Sequence, residues 1–183
     1  VYTKENDYFL SEQYTRMEYP SVGTGDFREP AFQVRQADGS YAVCMKYQSH
    51  NIFKGKKTLD GLPAVYVEKE DEAETLEISM LDEKTGLEMI LSYTIFSDYP
   101  VITRNVKFIN HGSDDIYLER VLSASIDLPD SEYEMISLTG AWSRERHIKT
   151  RKLNHGIQAS GSRRGCRSAE YNPFLCLKRP ETT

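Results

Sequence analysis

Along the middle of this chain, apolar and polar residues take turns at successive positions. In residues 75–82, Leu76, Ile78 and Met80 fall on one face and Glu77 and Ser79 on the other. That is the period of a half-buried strand. After a polar connection at 83–86 the pattern resumes over 87–96, with Leu87, Met89, Leu91, Tyr93 and Ile95 on one side. Residues 101–110 align Ile102, Val106 and Phe108, with Arg104 between them. A long charged side chain on an apolar face predicts an ion pair, or an apolar stem with its head in water. Residues 116–128 place Ile116, Leu118, Leu122, Ala124, Ile126 and Leu128 on one face, and 64–68, 133–139 and 174–178 read as further strands. Two more apolar runs, 31–35 and 41–47, flank Asp38 and Gly39. That dipeptide between apolar runs predicts a hairpin. No apolar period of 3.6 persists for three turns. Short strands with a turn every ten or so residues predict an all-β antiparallel β-sandwich.

One loop stands out against these strands. Residues 19–30 hold Pro20, Gly23, Gly25 and Pro30 around Asp26, Arg28 and Glu29. Proline fixes φ and glycine opens backbone conformations closed to other residues, so the stretch reads as a constrained loop feeding a strand. Turn chemistry alone accounts for Gly, Pro and Asp here. A shaped loop with polar tips on a β-scaffold is also where binding residues sit.

Composition narrows the classes. The 183 residues suffice for one domain with a sizeable core, and 39% hydrophobic content supports folding. The net charge of −5 disfavours general binding to nucleic acid or anionic membrane. No apolar run approaches a membrane span, and the first residues do not form a signal peptide. Cys44, Cys166 and Cys176 are odd in number and widely spaced, which predicts reduced thiols and a cytoplasmic protein. Charge is uneven, however. Residues 144–167 hold eight basic side chains and one acid. Only Trp142 and Tyr171 flank them, too few stacking rings for a nucleic-acid interface. Docking to another domain or subunit fits better, with Trp142, Arg144 and Arg146 as the interface. Trp142 also offers an apolar face to a sugar ring. Core packing is the ordinary role of a lone tryptophan.

Spacing alone yields no enzyme. His50, His111, His147 and His155 lack metal-ligand spacing, so neither a metal nor a cofactor is expected. There is no nucleophile elbow and no phosphate-cradling glycine loop. Asp82/Glu83 and Asp114/Asp115 are adjacent carboxylates in turns, not a pair facing across a scissile bond.

The runs GTGDFREP (23–30) and GAWSRERH (140–147), with the longer segments 18–40, 61–68, 73–110, 118–130 and 172–180, resemble the N-terminal β-domain of glycoside hydrolase family 36 α-galactosidases. The likeness covers about 18–180. It implies a supersandwich of the galactose-mutarotase type and a chain, 1–183, that is part of one N-terminal domain. A central (β/α)8 barrel carrying the two catalytic aspartates would then lie outside this chain, which by itself is expected to be inactive with no catalytic residue. The resemblance further implies α-galactoside oligosaccharides such as melibiose, raffinose and stachyose as substrates of the whole enzyme. The chain's own partners would be its barrel and the neighbouring subunits of a cytoplasmic homotetramer, whose N-terminal domains help to wall one another's active sites. In that setting Asp26 accepts hydrogen bonds from sugar hydroxyls, and Arg28 holds Asp26 or donates to the sugar. Two rival readings are a stand-alone carbohydrate-binding module and a mutarotase-like sugar enzyme.

Overall fold

The clearest alternation produces the clearest structure. In the computed structural model, which describes residues 17–22, 29–61, 64–162 and 169–181, the strands Ala73–Asp82 (β3) and Leu87–Phe96 (β4) form one long antiparallel hairpin. Its turn is built locally. Asp82 is buried and accepts from the Lys84 amide (3.2 Å) and the Thr85 hydroxyl (2.9 Å). Gly86 closes the turn at φ +72°, where a Cβ would sit 2.8 Å from the Gly112 nitrogen. Ile102–Asn110 (β5) pairs along β4, and Lys46–Lys54 (β2) pairs along β3 with a bulge between Tyr47 and Ser49. The result is a four-stranded sheet in the order β2-β3-β4-β5.

Phe32–Arg35 (β1) and Tyr117–Val121 (β6) form a separate two-stranded ribbon. Its buried residues Phe32 and Val34 meet Leu87, Met89 and Leu91 of β4, with Val43 and Tyr19 completing the core. The Phe32 ring lies 5.2 Å from that of Phe108, centroid to centroid. Two antiparallel layers thus pack face to face, as the sandwich expectation requires.

The chain divides into two compact units, Val1–Asp127 and Leu128–Thr183. The second unit is a three-stranded antiparallel sheet in the order β8-β7-β9, formed by Arg144–Lys152 (β8), Glu134–Ala141 (β7) and Tyr171–Lys178 (β9). Central β7 buries Met135 and Ser137. The one helical element among the described residues is a 3-10 turn, Glu70–Glu72, so no described helix is long and apolar enough to cross a membrane.

Three local expectations change. The Asp38-Gly39 turn forms, with Gly39 at φ +84° and its amide donating to the Gln36 carbonyl (2.9 Å). Residues 41–45 nevertheless make no return strand, and β1 pairs with β6 instead. The Gln36 side chain takes the Ala42 carbonyl, an acceptor a hairpin ladder would have used. The strand expected over 116–128 is only five residues long, and Ile126 is 70% exposed. Residues 64–67 are irregular rather than strand.

Candidate functional site

The loop at 19–30 is held at its base by the core. Tyr19 is buried and stacks on Phe32 at 5.7 Å with an interplanar angle of 11°. Its hydroxyl donates to the Leu122 carbonyl, and burial pushes the phenol pKa up. The Pro20 carbonyl accepts from the amides of Ala31 (2.8 Å) and Phe32 (3.3 Å), and Ser21 bridges Phe32 in parallel. The chain therefore leaves the loop beside the point where it entered. Leu122 N–H returns a bond to the Ala31 carbonyl at 2.8 Å, which ties the exit to the segment after β6.

Charged groups reinforce both ends. Arg104 pairs with Glu18 at 2.6 Å and donates to the Ser125 carbonyl at 2.8 Å. Of the two placements expected for Arg104, the ion-paired one is found. Tyr93 donates to the same Glu18 carboxylate at 2.8 Å. Burial first, and then that bond, raise the Tyr93 pKa. Past the loop, Glu29 pairs with Arg120 of β6. Asp26 and Arg28, together with Gly23 and Gly25, lie outside the described residues.

The second candidate is the connection between β7 and β8. Ala141 pairs with Arg144, leaving Trp142 and Ser143 as the tip. Ser143 has φ +64°, and its amide donates to Glu145 Oε1 at 3.2 Å. Between the Thr139–His147 and Ala141–Arg144 pairs, β8 has one residue more than β7, and Arg146 takes φ +63° in this bulge. Gly140 faces the bulge. A Cβ there would lie 2.3 Å from the Arg144 carbonyl oxygen, so no larger residue keeps this geometry. Trp142 is 88% exposed, which removes it from any core role within its unit. Arg144 and Arg146 are exposed on the sheet's outer strand, and neither is paired with an acid among the described residues. Basic side chains on such a strand also discourage edge-to-edge pairing. An open cavity of about 560 Å³ beside the tip is lined by Thr139, Arg144, His147, Lys149, Glu170 and Tyr171.

Sequence reasoning brought neither Glu18 nor Arg120 to the loop, because their partners lie about ninety residues away in the chain. It also missed a chain of contacts on the sheet's outer face. Ser79 donates to Glu88 at 2.6 Å, and His111 Nε2 lies 2.7 Å from the other Glu88 oxygen. The bond from His111, then that from Ser79, holds the Glu88 carboxyl below its ordinary range. No group of three metal-ligating side chains gathers among the described residues, and Cys44 and Cys176 are free thiols.

Comparison with known proteins gives one family. The model of the glycosyl hydrolase family 36 N-terminal domain matches residues 1–183. The chain is 50% identical over 160 residues to alpha-galactosidase AgaA of Geobacillus stearothermophilus, covering 87% of this chain and 22% of that enzyme. It is 45% identical over 166 residues to alpha-galactosidase 1 of Pediococcus pentosaceus, covering 91% of this chain and 23% of that protein. A crystal structure of an AgaA variant in complex with raffinose superposes with a TM-score of 0.93 at 45% identity, over 99% of this chain and 25% of that one. The chain thus spans about a quarter of the length of the relatives it matches.

Proposed function

Because this chain belongs to the glycosyl hydrolase family 36 N-terminal domain family, we propose that it is the non-catalytic N-terminal β-sandwich segment of a longer α-galactosidase. That enzyme releases terminal α-galactose, with retention, from melibiose- and raffinose-type oligosaccharides. The observation that carries this reading is the 50% identity to an α-galactosidase of which the chain spans only 22%. Residues 1–183 are then part of one N-terminal domain, and the two carboxylates that retaining hydrolysis requires lie in a barrel beyond them. The segment's work is assembly and the walling of the sugar pocket, in a cytoplasmic homotetramer.

The two loops divide these tasks. A loop that reaches a neighbour's sugar pocket needs a rigid root and polar tips. Tyr19, Phe32, Arg104 and Arg120 hold the root. Asp26 and Arg28 are the polar tips that meet the sugar. The exposed Trp142 with Arg144 and Arg146 suits contact with another domain or subunit, since aromatic residues and arginine are enriched at interfaces.

The test is Asp26→Ala in the longer protein. A lost hydrogen bond to a charged group costs about 1.5–3 kcal/mol, so kcat/KM for raffinose falls roughly ten- to hundredfold. The thermal midpoint stays unchanged, because the core contacts at the root are intact. Unaltered kinetic constants overturn the role of Asp26.

A further inference from the structure

The face of the four-stranded sheet that points away from the core carries an ordered set of small polar side chains. Register places Thr75, Thr94 and Thr103 in one row across β3, β4 and β5. Glu77, Ser92 and Asn105 form the next row, and Ile90 and Lys107 begin a third. Residues 56–60 and 64–65 stand beside these rows and border a cavity of about 600 Å³. That lies within the roughly 300–1,000 Å³ of small-molecule sites.

The first row belongs to the protein itself. Thr75 Oγ1 donates to the Gly55 carbonyl at 2.6 Å, which leaves the Thr94 hydroxyl, 2.8 Å away, to donate to Thr75. Both threonines are buried, so this row is a floor. In the second row Glu77 is engaged with Lys57 at 2.6 Å. The half-buried side chains of Ser92 and Asn105 have no hydrogen-bond partner among the described residues, and the same holds for Thr103 and Lys107. The hydroxyl of Ser92 on β4 and the amide and ammonium of Asn105 and Lys107 on the neighbouring β5, strands about 4.8 Å apart, present both donors and acceptors to one occupant.

An independent feature adjoins this floor. Val65 also borders a second cavity, of about 530 Å³, at the turn between β4 and β5. Tyr66, Phe96 and Tyr99 line it, with the carboxylates of Glu68, Glu72 and Asp98. Tyr66 and Tyr99 are 69% and 67% exposed. An aromatic ring presents an apolar face with a polar edge, which matches the C–H face and hydroxyl rim of a pyranose.

We propose that the two cavities form one trough that binds a neutral oligosaccharide along the outer face of the sheet. Ser92, Asn105 and Lys107 hydrogen-bond its hydroxyls, and Tyr66 and Tyr99 stack on a ring at one end. At the tyrosine end the three carboxylates disfavour a polyanion, and beside the polar rows Lys57 is paired with Glu77. The site uses none of Asp26, Arg28 or Trp142, so it stands or falls separately from the reading of the two loops.

The experiment is an amide NMR titration of this chain with raffinose, maltotriose and xylotriose in turn, each to roughly 20 mM, enough to saturate a millimolar Kd. Saturable shifts at Ser92, Thr103, Asn105 and Tyr99 are expected with at least one probe. Asn105→Ala and Tyr99→Ala each weaken that binding about fivefold or more, the equivalent of one lost contact. The thermal midpoint is recorded for both variants and is expected to hold, since neither side chain is in the core. Absence of saturable shifts with all three sugars overturns the proposal. So do shifts confined to the loop at 19–30 or to the Trp142 tip, and shifts that persist unweakened in both variants.

Discussion

Replacing Phe32 by alanine tests the central structural argument, that one ring joins the sandwich core to the root of the loop. Phe32 is fully buried, stacked on Tyr19 and tilted against Phe108 at 5.2 Å. A buried aromatic side chain removes roughly 150–250 Å² from water. At about 25 cal/mol per Å² that is roughly 4–6 kcal/mol. Residual compactness of the unfolded chain trims the figure by some 10–40%. The cavity left between Tyr19 and Phe108 adds a penalty, and Phe→Ala changes in cores cost about 3–5 kcal/mol in all. We therefore expect a loss of about 3–5 kcal/mol, measured by urea unfolding followed by far-ultraviolet circular dichroism. Phe32→Leu, which keeps most of the volume, is expected to cost under about 1.5 kcal/mol. The amide of Leu122, which donates to the Ala31 carbonyl next to Phe32, should exchange faster in Phe32→Ala. A loss below about 1 kcal/mol for the alanine variant, or equal losses for both variants, would refute the packing argument.

Two further outcomes can be checked directly. The Glu88 carboxyl is held below the ordinary glutamate value of 4.5 by His111 and Ser79. A depressed folded-state pKa contributes stability that is fully present above the unfolded value and is lost as pH falls through the folded one. The stability difference between the protein and Glu88→Gln should therefore shrink as pH falls below 4.5, as followed by thermal melts; a difference that does not change over that range would remove the linkage. At the β7–β8 tip, Arg144→Ala combined with Arg146→Ala should lower the oligomer mass of the longer protein by light scattering, and an unchanged mass would withdraw the interface role.

Part of the candidate site was legible in the sequence, and the legible part is local. Pro20 and Pro30 bracket the constrained loop read from residues 19–30, and the Asp38-Gly39 turn forms where that dipeptide stands. What holds those turns was not legible. The pair Glu18–Arg104 and the pair Glu29–Arg120 join residues 86 and 91 positions apart. Nothing in the local pattern of either partner names the other. The trough was also hidden. Thr75, Glu77, Ser92 and Asn105 read as the solvent side of alternating strands, and only residues 56–60 and 64–65 beside them make a cavity.

By itself the sequence determined the hairpin of β3 and β4, the strand β5 after it, and the all-β class, because period-two alternation and a tight turn are local properties of the chain. It left Arg104, on an apolar face, either an ion pair or a head in water, and the structure took the ion pair with Glu18. Tertiary structure decided the pairing of β1. The Asp38-Gly39 turn favours a hairpin, yet Gln36 caps the Ala42 carbonyl, and the ladder of β1 goes to β6, which registers Arg35 with Tyr117. It decided as well that the basic run Arg144–Lys152 is a strand, since an outer strand with both faces in water needs no apolar alternation. Which edges meet depends on the summed burial of distant faces, and no window of the sequence contains that sum.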